Sequence, residues 1–327
     1  MMRLLPGPRR RGCIHALVLL SVLPLFWGCA SRTPRRDQAN EPYVLVLGIA
    51  QDGGLPQAGC NQPHCERAWN DISMRRSVAS LAIVDPLTRE RWMIDATPDF
   101  ALQLRRLDQA APRHPNGVLQ GIFLTHAHIG HYTGLMHLGR EVMGARGVPV
   151  YAMPRMAGFL RTSGPWEQLV TLGNIEIRPL AQATAVPLNP RISITPLLVP
   201  HRDEYSETAG FIVRGPSGSL LYIPDIDKWE RWETAIESLI RNVDIALLDG
   251  TFYAEGELPG RSMAEIPHPF IVETLARTAP LNASERAKVR FIHLNHTNPA
   301  LDPKSEAHRE IERAGAGVAG EGERFGL

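Results

Sequence analysis

At 327 residues the chain can bury a sizeable core, as one large α/β domain or two smaller ones. Its 35 Lys and Arg against 34 Asp and Glu leave a formal charge of +1, without a long charged block beyond the extreme N-terminus, which argues against nucleic acid as the main partner. Twelve His against four Cys is a His-rich inventory, and plentiful Gly and Pro suit a loop-rich enzyme better than a helical bundle.

The chain opens with Arg3, Arg9, Arg10 and Arg11, then an apolar run from Ile14 to Trp27 interrupted by His15 and Pro24. The run is shorter than the roughly 20 apolar residues of a membrane-spanning helix, and residues 1–28 read as a secretory signal. Gly28-Cys29 is similar to a bacterial lipobox, with bulky Phe26 and Trp27 upstream, so Cys29 is the expected lipidation site. An ordinary cleaved signal is the alternative. Residues 29–42, rich in Ser, Arg, Thr, Pro and Asn, read as a flexible tether ahead of a domain at 43–327. The protein is then exported, periplasmic and lipid-anchored to a bacterial membrane.

Residues 43–49 read as a strand, and 51–56 as a tight glycine turn. Cys60, His64 and Cys65 follow within six residues, ahead of a helical run through Trp69. They suggest a structural zinc knuckle short of ligands; a small disulfide or a pair of free thiols are the other readings. Strands are expected at 80–85 and 91–95, and an amphipathic helix at 100–107 with Leu102, Leu104 and Leu107 on its apolar side.

The short apolar segment 121–124 then delivers Thr125-His126-Ala127-His128-Ile129-Gly130-His131, with a helix start after it. Three histidines between a strand end and a helix cannot form a packed apolar face. In extended chain His126 and His128 point the same way and reach one ion, while His131, beyond the turn, suits a neighbouring ion. Further strands are read at 148–152 and 192–200, the latter delivering His201. Another at 220–224 precedes Asp225, whose two oxygens can bridge two cations. Asp227 reads as a helix cap. A strand through Asp249, a helix after His268 and a strand at 289–292 before His293 complete the pass, with His296 close behind.

The stretch His126-Ala127-His128-Ile129-Gly130-His131 resembles the His-x-His-x-Asp-His signature of the metallo-β-lactamase-fold hydrolases, with Gly130 at the Asp position. Residues 48–65 resemble the start of the pyrroloquinoline-quinone biosynthesis protein B family and the related cyclic-phosphate phosphodiesterases of phosphonate breakdown. Those relatives carry Cys-x-Cys-x-x-Cys where this chain has Cys60, Gln62 and Cys65. The resemblance implies an α/β fold, the αββα sandwich of two mixed β-sheets packed face to face with helices outside. It implies that His126, His128, His201 and Asp225 hold one ion, and Asp225, His131 and His293 a second, with Asp95 supporting them. His296 joins Cys60, Cys65 and, as a further candidate, His64 in a structural zinc site. His268 matches a histidine used near the leaving group, and Asp249 either orients a ligand or stands in for the carboxylate absent at Gly130.

The implied function is an exported metal-dependent hydrolase of phosphodiesters or other esters, using a metal-activated water, with His268 and Asp225 as catalytic residues. One or two divalent ions (Zn, Mn or Fe) are expected at the centre, plus the structural Zn. Gly130 predicts a weakened second site, and Gly130→Asp a tighter one. The partners expected are a small-molecule substrate and, through the lipid, a membrane. The rival readings are an iron-dependent oxidoreductase or hydroxylase, and a non-catalytic metal-binding lipoprotein.

Overall fold

A computed structural model describes residues 40–115, 117–258, 260 and 262–327. The signal read at 1–28 and the lipidation site Cys29 lie outside them, as does the tether up to residue 39. Asn40 to Pro42, read as the end of that tether, are instead tied to the domain. Arg191 Nη2 donates to Asn40 O at 3.0 Å and Leu327 N to Pro42 O at 2.8 Å. No helix among the described residues is long and apolar enough to cross a membrane.

Six strands form most of one sheet: β1 (Tyr43–Gly48), β2 (Ser80–Asp85), β3 (Glu90–Ile94), β4 (Gly121–Phe123), β5 (Val148–Ala152) and β6 (Ile175–Pro179). The second sheet takes β7 (Val186–Pro187), β8 (Ser193–Val199), β9 (Thr208–Arg214), β10 (Ser219–Ile223), β11 (Ile245–Asp249), β12 (Val289–Ile292) and β13 (Gly317–Val318). The last strand, β14 (Arg324–Gly326), returns to the first sheet beside β1. The strand orders are β14-β1-β2-β3-β4-β5-β6 and β13-β12-β11-β10-β9-β8-β7. The two halves of the chain repeat one plan, an antiparallel meander followed by parallel strands: β1–β3 then β4–β6, and β7–β10 then β11–β13.

Both faces of the central strands are apolar, which is why they bury two layers rather than one. In β1, β2 and β3 the residues Leu45, Leu47, Ala82, Val84 and Met93 turn toward helices, while Val44, Val46, Leu81, Ile83, Trp92 and Ile94 face the other sheet. A third apolar layer covers the outside of the second sheet around Ile223, Leu248 and Phe291. The result is the αββα sandwich. Phe123, at the end of β4, stacks on Tyr151 with centroids 4.2 Å apart and meets Phe211 of β9 edge-on at 5.9 Å. Aromatic pairs of this kind add about 0.5–1.5 kcal/mol each beyond the area they bury. The Phe123–Phe211 contact ties the two sheets together just before the His126 loop, while the Phe123–Tyr151 stack braces neighbouring strands of the first sheet.

Element ends differ from expectation in three places. The helix after Asp99 runs Phe100–Ala110, and its Leu102 is exposed rather than packed. The helix after the histidine loop is one short turn, Ile129–Tyr132, continued as a 3-10 segment Thr133–Leu138. Asp227 caps no helix: only a 3-10 turn, Trp229–Arg231, follows, with Lys228 at its cap position, and the Asp227 carboxylate is used elsewhere.

Candidate metal centre

The functional side chains gather beyond the carboxyl ends of the strands, from both sheets. β4 leads to His126, His128 and His131; β8 to His201; β10 to Asp225; β11 to Asp249; β12 to His293. Two residues at these strand ends hold the left-handed backbone that side chains other than Gly seldom adopt, Asp95 at φ 65° after β3 and His293 at φ 66° after β12. Such strain, on the order of 1–3 kcal/mol each, persists where surrounding structure fixes it, as at functional sites. Hydrogen bonds across the seam hold the histidine loop: Ala209 N donates to Thr125 O at 3.0 Å and Ala127 N to Ser206 Oγ at 2.8 Å.

Asp225, 2 % exposed, is the hub. Its Oδ2 lies 3.3 Å from His126 Nε2, 3.5 Å from His131 Nε2 and 3.7 Å from His293 Nε2; its Oδ1 lies 3.4 Å from His201 Nε2. His126 Nε2 and His128 Nδ1 approach to 2.9 Å. The ligand atoms of His126, His128, His201 and Asp225 all lie within 4.8 Å of one another. Burial would raise the Asp225 carboxyl, yet the charges of His201, His293 and His268 and the hydrogen bond from His126 hold it well below the usual carboxylate range.

The second donor set contains a residue that sequence reasoning missed. Asp52, in the glycine turn after β1, groups with His131 and His293. Its Oδ1 lies 3.3 Å from His131 Nε2 and 3.9 Å from His293 Nε2. A Cβ built on Gly130 would stand 2.0 Å from that same oxygen and 2.7 Å from Asp52 Cα. The space of the side chain absent at position 130 is therefore filled by a carboxylate from another loop. This corrects the expectation of a second site weakened at Gly130 and tightened by Gly130→Asp. It also corrects Asp249 as the stand-in: Asp249 Oδ2 accepts from Ile226 N at 3.1 Å and lies 2.8 Å from His268 Nδ1, so it serves His268. Burial would raise Asp52 as well, but the adjacent His131 and His293 hold it well below its usual range.

Each histidine of the cluster has its outward nitrogen fixed, which sets which nitrogen faces the centre. Thr125 Oγ1 lies 3.0 Å from His126 Nδ1, Glu204 Oε2 2.9 Å from His128 Nε2, Asp95 Oδ2 2.8 Å from His131 Nδ1 and Asp227 Oδ1 3.2 Å from His201 Nδ1. Thr251 Oγ1 lies 3.0 Å from His293 Nδ1. The inward atoms His131 Nε2, His201 Nε2, His293 Nε2, Asp52 Oδ1 and Asp225 Oδ1 are buried without a hydrogen-bond partner. Five converging, unpartnered donors in one buried cluster fit divalent cations, since such atoms are otherwise costly to bury.

His268, 5 % exposed, stands beside this set with Nδ1 against Asp249 and 3.2 Å from Asp225 Oδ1. Burial alone would discharge the ring, but Asp249 and Asp225 outweigh it and push the imidazolium up to about 9.

Apart from this centre, Cys60, His64, Cys65 and His296 also bring their ligand atoms within 4.8 Å of one another. Cys60 Sγ is 3.7 Å from His64 Nε2, the two imidazoles are 5.4 Å apart, and His296 Nδ1 is buried without a partner. Both cysteines are free, which removes the disulfide reading. Burial and the adjacent Cys60 push the Cys65 thiol up to about 11. Four ligands with no open position fit a closed structural zinc site.

Residues 90–312 match the family described as the β-lactamase superfamily domain. The chain belongs to the metallo-β-lactamase superfamily. Within that superfamily it is 28 % identical over 313 residues to the coenzyme PQQ synthesis protein B of Xanthomonas euvesicatoria pv. vesicatoria, covering 87 % of this chain and 99 % of the relative. The crystal structure of Zn²⁺-bound PqqB from Methylobacterium extorquens superposes with a TM-score of 0.73 at 23 % identity, over 87 % of this chain and all of that one. A diphosphatase of the PhnP family superposes with a TM-score of 0.61 at 22 % identity, over 88 % and 97 % of the two chains. At these identities the two structures share a fold with this chain; the donor sets stand on its own geometry.

Proposed function

We propose that this protein is a metal-dependent hydrolase of phosphodiesters or related esters. The observation that carries the reading is the pair of adjacent donor sets sharing Asp225, with the Asp249–His268 pair at their edge. Bound divalent ions would supply an acidified water near neutral pH and polarise the attacked oxygen. His126, His128, His201 and Asp225 hold one ion; Asp52, His131 and His293, with Asp225 shared, hold the other. Two divalent ions against the carboxylates of Asp52 and Asp225 leave excess positive charge, which suits an anionic phosphoryl group. His268, held at Nδ1 by Asp249, offers its Nε2 proton to the departing oxygen.

The test is metal content with turnover on a panel of phosphodiesters and carboxylic esters. The wild type is expected to carry two ions at the centre and one zinc at the cysteine cluster. The His126→Ala/His128→Ala variant loses the central ions and turnover but keeps the zinc, which Cys60→Ser removes. Metal content unchanged by the double substitution would overturn the reading.

A second reading has one observation behind it: the relative named for PQQ synthesis is covered over 99 % of its length. On that reading the centre holds iron and performs an oxidation in quinone-cofactor assembly; iron as the sole metal, without ester turnover, would favour it. For placement in the cell, the basic and apolar residues 1–28 ahead of Cys29 support an exported, lipid-anchored protein. Mass spectrometry of the mature N-terminus is expected to find acylated Cys29, and an intact Met1 would refute export by this route.

A further inference from the structure

Beside the cysteine cluster, against the loop that follows β12, lies a cavity of about 250 Å³. His64 and His296 stand in its wall, but none of its lining residues belongs to either donor set of the metal centre. Arg67 lines it too, one turn after His64 on the same face of the helix Pro63–Asn70. Arg76 is a second cation in the wall. Its backbone pairs with that of Leu55, each N donating to the other's O at 2.9 Å. Arg76 Nη1 donates to Ser73 O at 2.8 Å and to Arg75 O at 2.7 Å, which fixes one corner of the guanidinium. Its Nε and Nη2 make no hydrogen bond among the described residues, and the Arg67 guanidinium makes neither a hydrogen bond nor an ion pair there.

Nearby carboxylates are engaged elsewhere. Asp71 Oδ1 accepts from Ser73 N at 2.9 Å and from Ser73 Oγ at 2.7 Å, and Glu321 Oε2 pairs with Arg106 at 2.9 Å. Asp302, the acid that lines the cavity, has Oδ1 on Lys304 N at 2.9 Å. Two guanidiniums against one exposed carboxylate leave the cavity net positive. Much of the remaining wall is apolar, with Leu55, Met74 and Leu301 exposing their side chains to the hollow. Apolar walls with a few convergent polar groups are the make-up of a small-molecule site. This one is smaller than the roughly 300–1,000 Å³ that suits drug-sized ligands, so it fits a single ring or a short chain. The planar fork of an arginine matches carboxylate and phosphate alike.

We propose that this cavity is a second ligand site, separate from the metal centre, for a small organic anion. Arg67 and Arg76 hold its carboxylate or phosphate group, and Leu55, Met74 and Leu301 receive its apolar body. The proposal does not depend on the hydrolase reading.

The test uses 4-iodobenzoate and the zinc-loaded full chain. Affinity is measured by calorimetry, and the iodine is located in crystals by its anomalous signal. The iodine is expected among Leu55, Met74 and Leu301, with the carboxylate on the arginines. Arg67→Gln removes no bond described above and should weaken binding by about tenfold, the worth of one charge-assisted contact. Arg67→Lys should restore part of that loss. The uncharged 4-iodobenzamide should bind the wild type about tenfold more weakly than the acid and be indifferent to Arg67→Gln. Phenylphosphonate is titrated alongside, and the anion that loses more affinity in Arg67→Gln identifies the recognised group. Iodine found only at the metal centre, equal affinity in wild type and Arg67→Gln for both anions, or no binding of either anion overturns the proposal.

Discussion

Asp52→Gly is expected to leave the second donor set with His131, His293 and a share of Asp225, and to lower its metal occupancy from one ion toward none. Turnover should fall by about a hundredfold or more, since even residues that only support metal ligands are worth 10–100-fold. Gly130→Asp alone should also be damaging. Its Cβ would sit 2.0 Å from Asp52 Oδ1, and its carboxylate would compete for the same buried space. Overpacking of this kind typically costs about 1–3 kcal/mol, before any repulsion between two carboxylates. The informative variant combines both changes. Asp52→Gly/Gly130→Asp returns one carboxylate to one volume and should recover metal content and thermal stability lost in either single variant. Elemental analysis and melting curves on the four proteins check this. A Gly130→Asp protein that binds its second ion more tightly than wild type would show that the space is not contested.

The second large effect concerns His268. His268→Gln should reduce kcat by about 10²- to 10⁴-fold, the usual worth of a positioned general acid, for esters with alkoxide leaving groups. For a nitrophenolate leaving group, which departs without a proton, the loss should be much smaller. Metal content of the two donor sets should not change, because their ligand atoms lie on other residues, while His268 Nδ1 groups with Asp225 and Asp249 beside them; loss of a central ion in His268→Gln would make His268 a ligand. Asp249→Asn should follow the same pattern more weakly, since Asp249 acts by orienting His268 at 2.8 Å. Equal losses for both leaving groups would place His268 in substrate or metal binding instead.

Much of this centre was legible in the sequence because its signals are local. Strand ends followed by polar residues announced His126, His128, His131, His201, Asp225 and His293, and all of them meet in the structure. The cysteine cluster was legible through the spacing of Cys60, His64 and Cys65, with His296 added by resemblance. What stayed hidden depends on contacts between distant segments. Asp52 sits before Gly53 and Gly54, where Asp ordinarily makes a turn, and nothing in its neighbourhood reveals that β1 aims it at His131. The available signal was indirect: with Gly130 where a carboxylate is expected, another strand-end acid had to supply it. Asp227 was read as a cap for the same reason, its local context fitting a helix start while its carboxylate answers His201 across the fold. Glu204 and the threonines Thr125 and Thr251 are equally silent in sequence, because a hydrogen bond to a histidine's outer nitrogen leaves no periodicity.

The repeated plan of the two half-chains has a thermodynamic consequence. Asp52, His126, His128 and His131 come from the first meander-and-parallel unit, and His201, Asp225 and His293 from the second. Any cation held by both groups binds only when the halves are assembled, so its binding free energy is also cohesion of the sandwich. By mass action each tenfold rise in free metal above the dissociation constant adds about 1.4 kcal/mol per site to the folded state. The melting point of this protein is thereby a gauge of the metal supply around it, and starvation for metal loosens the scaffold as well as silencing the chemistry.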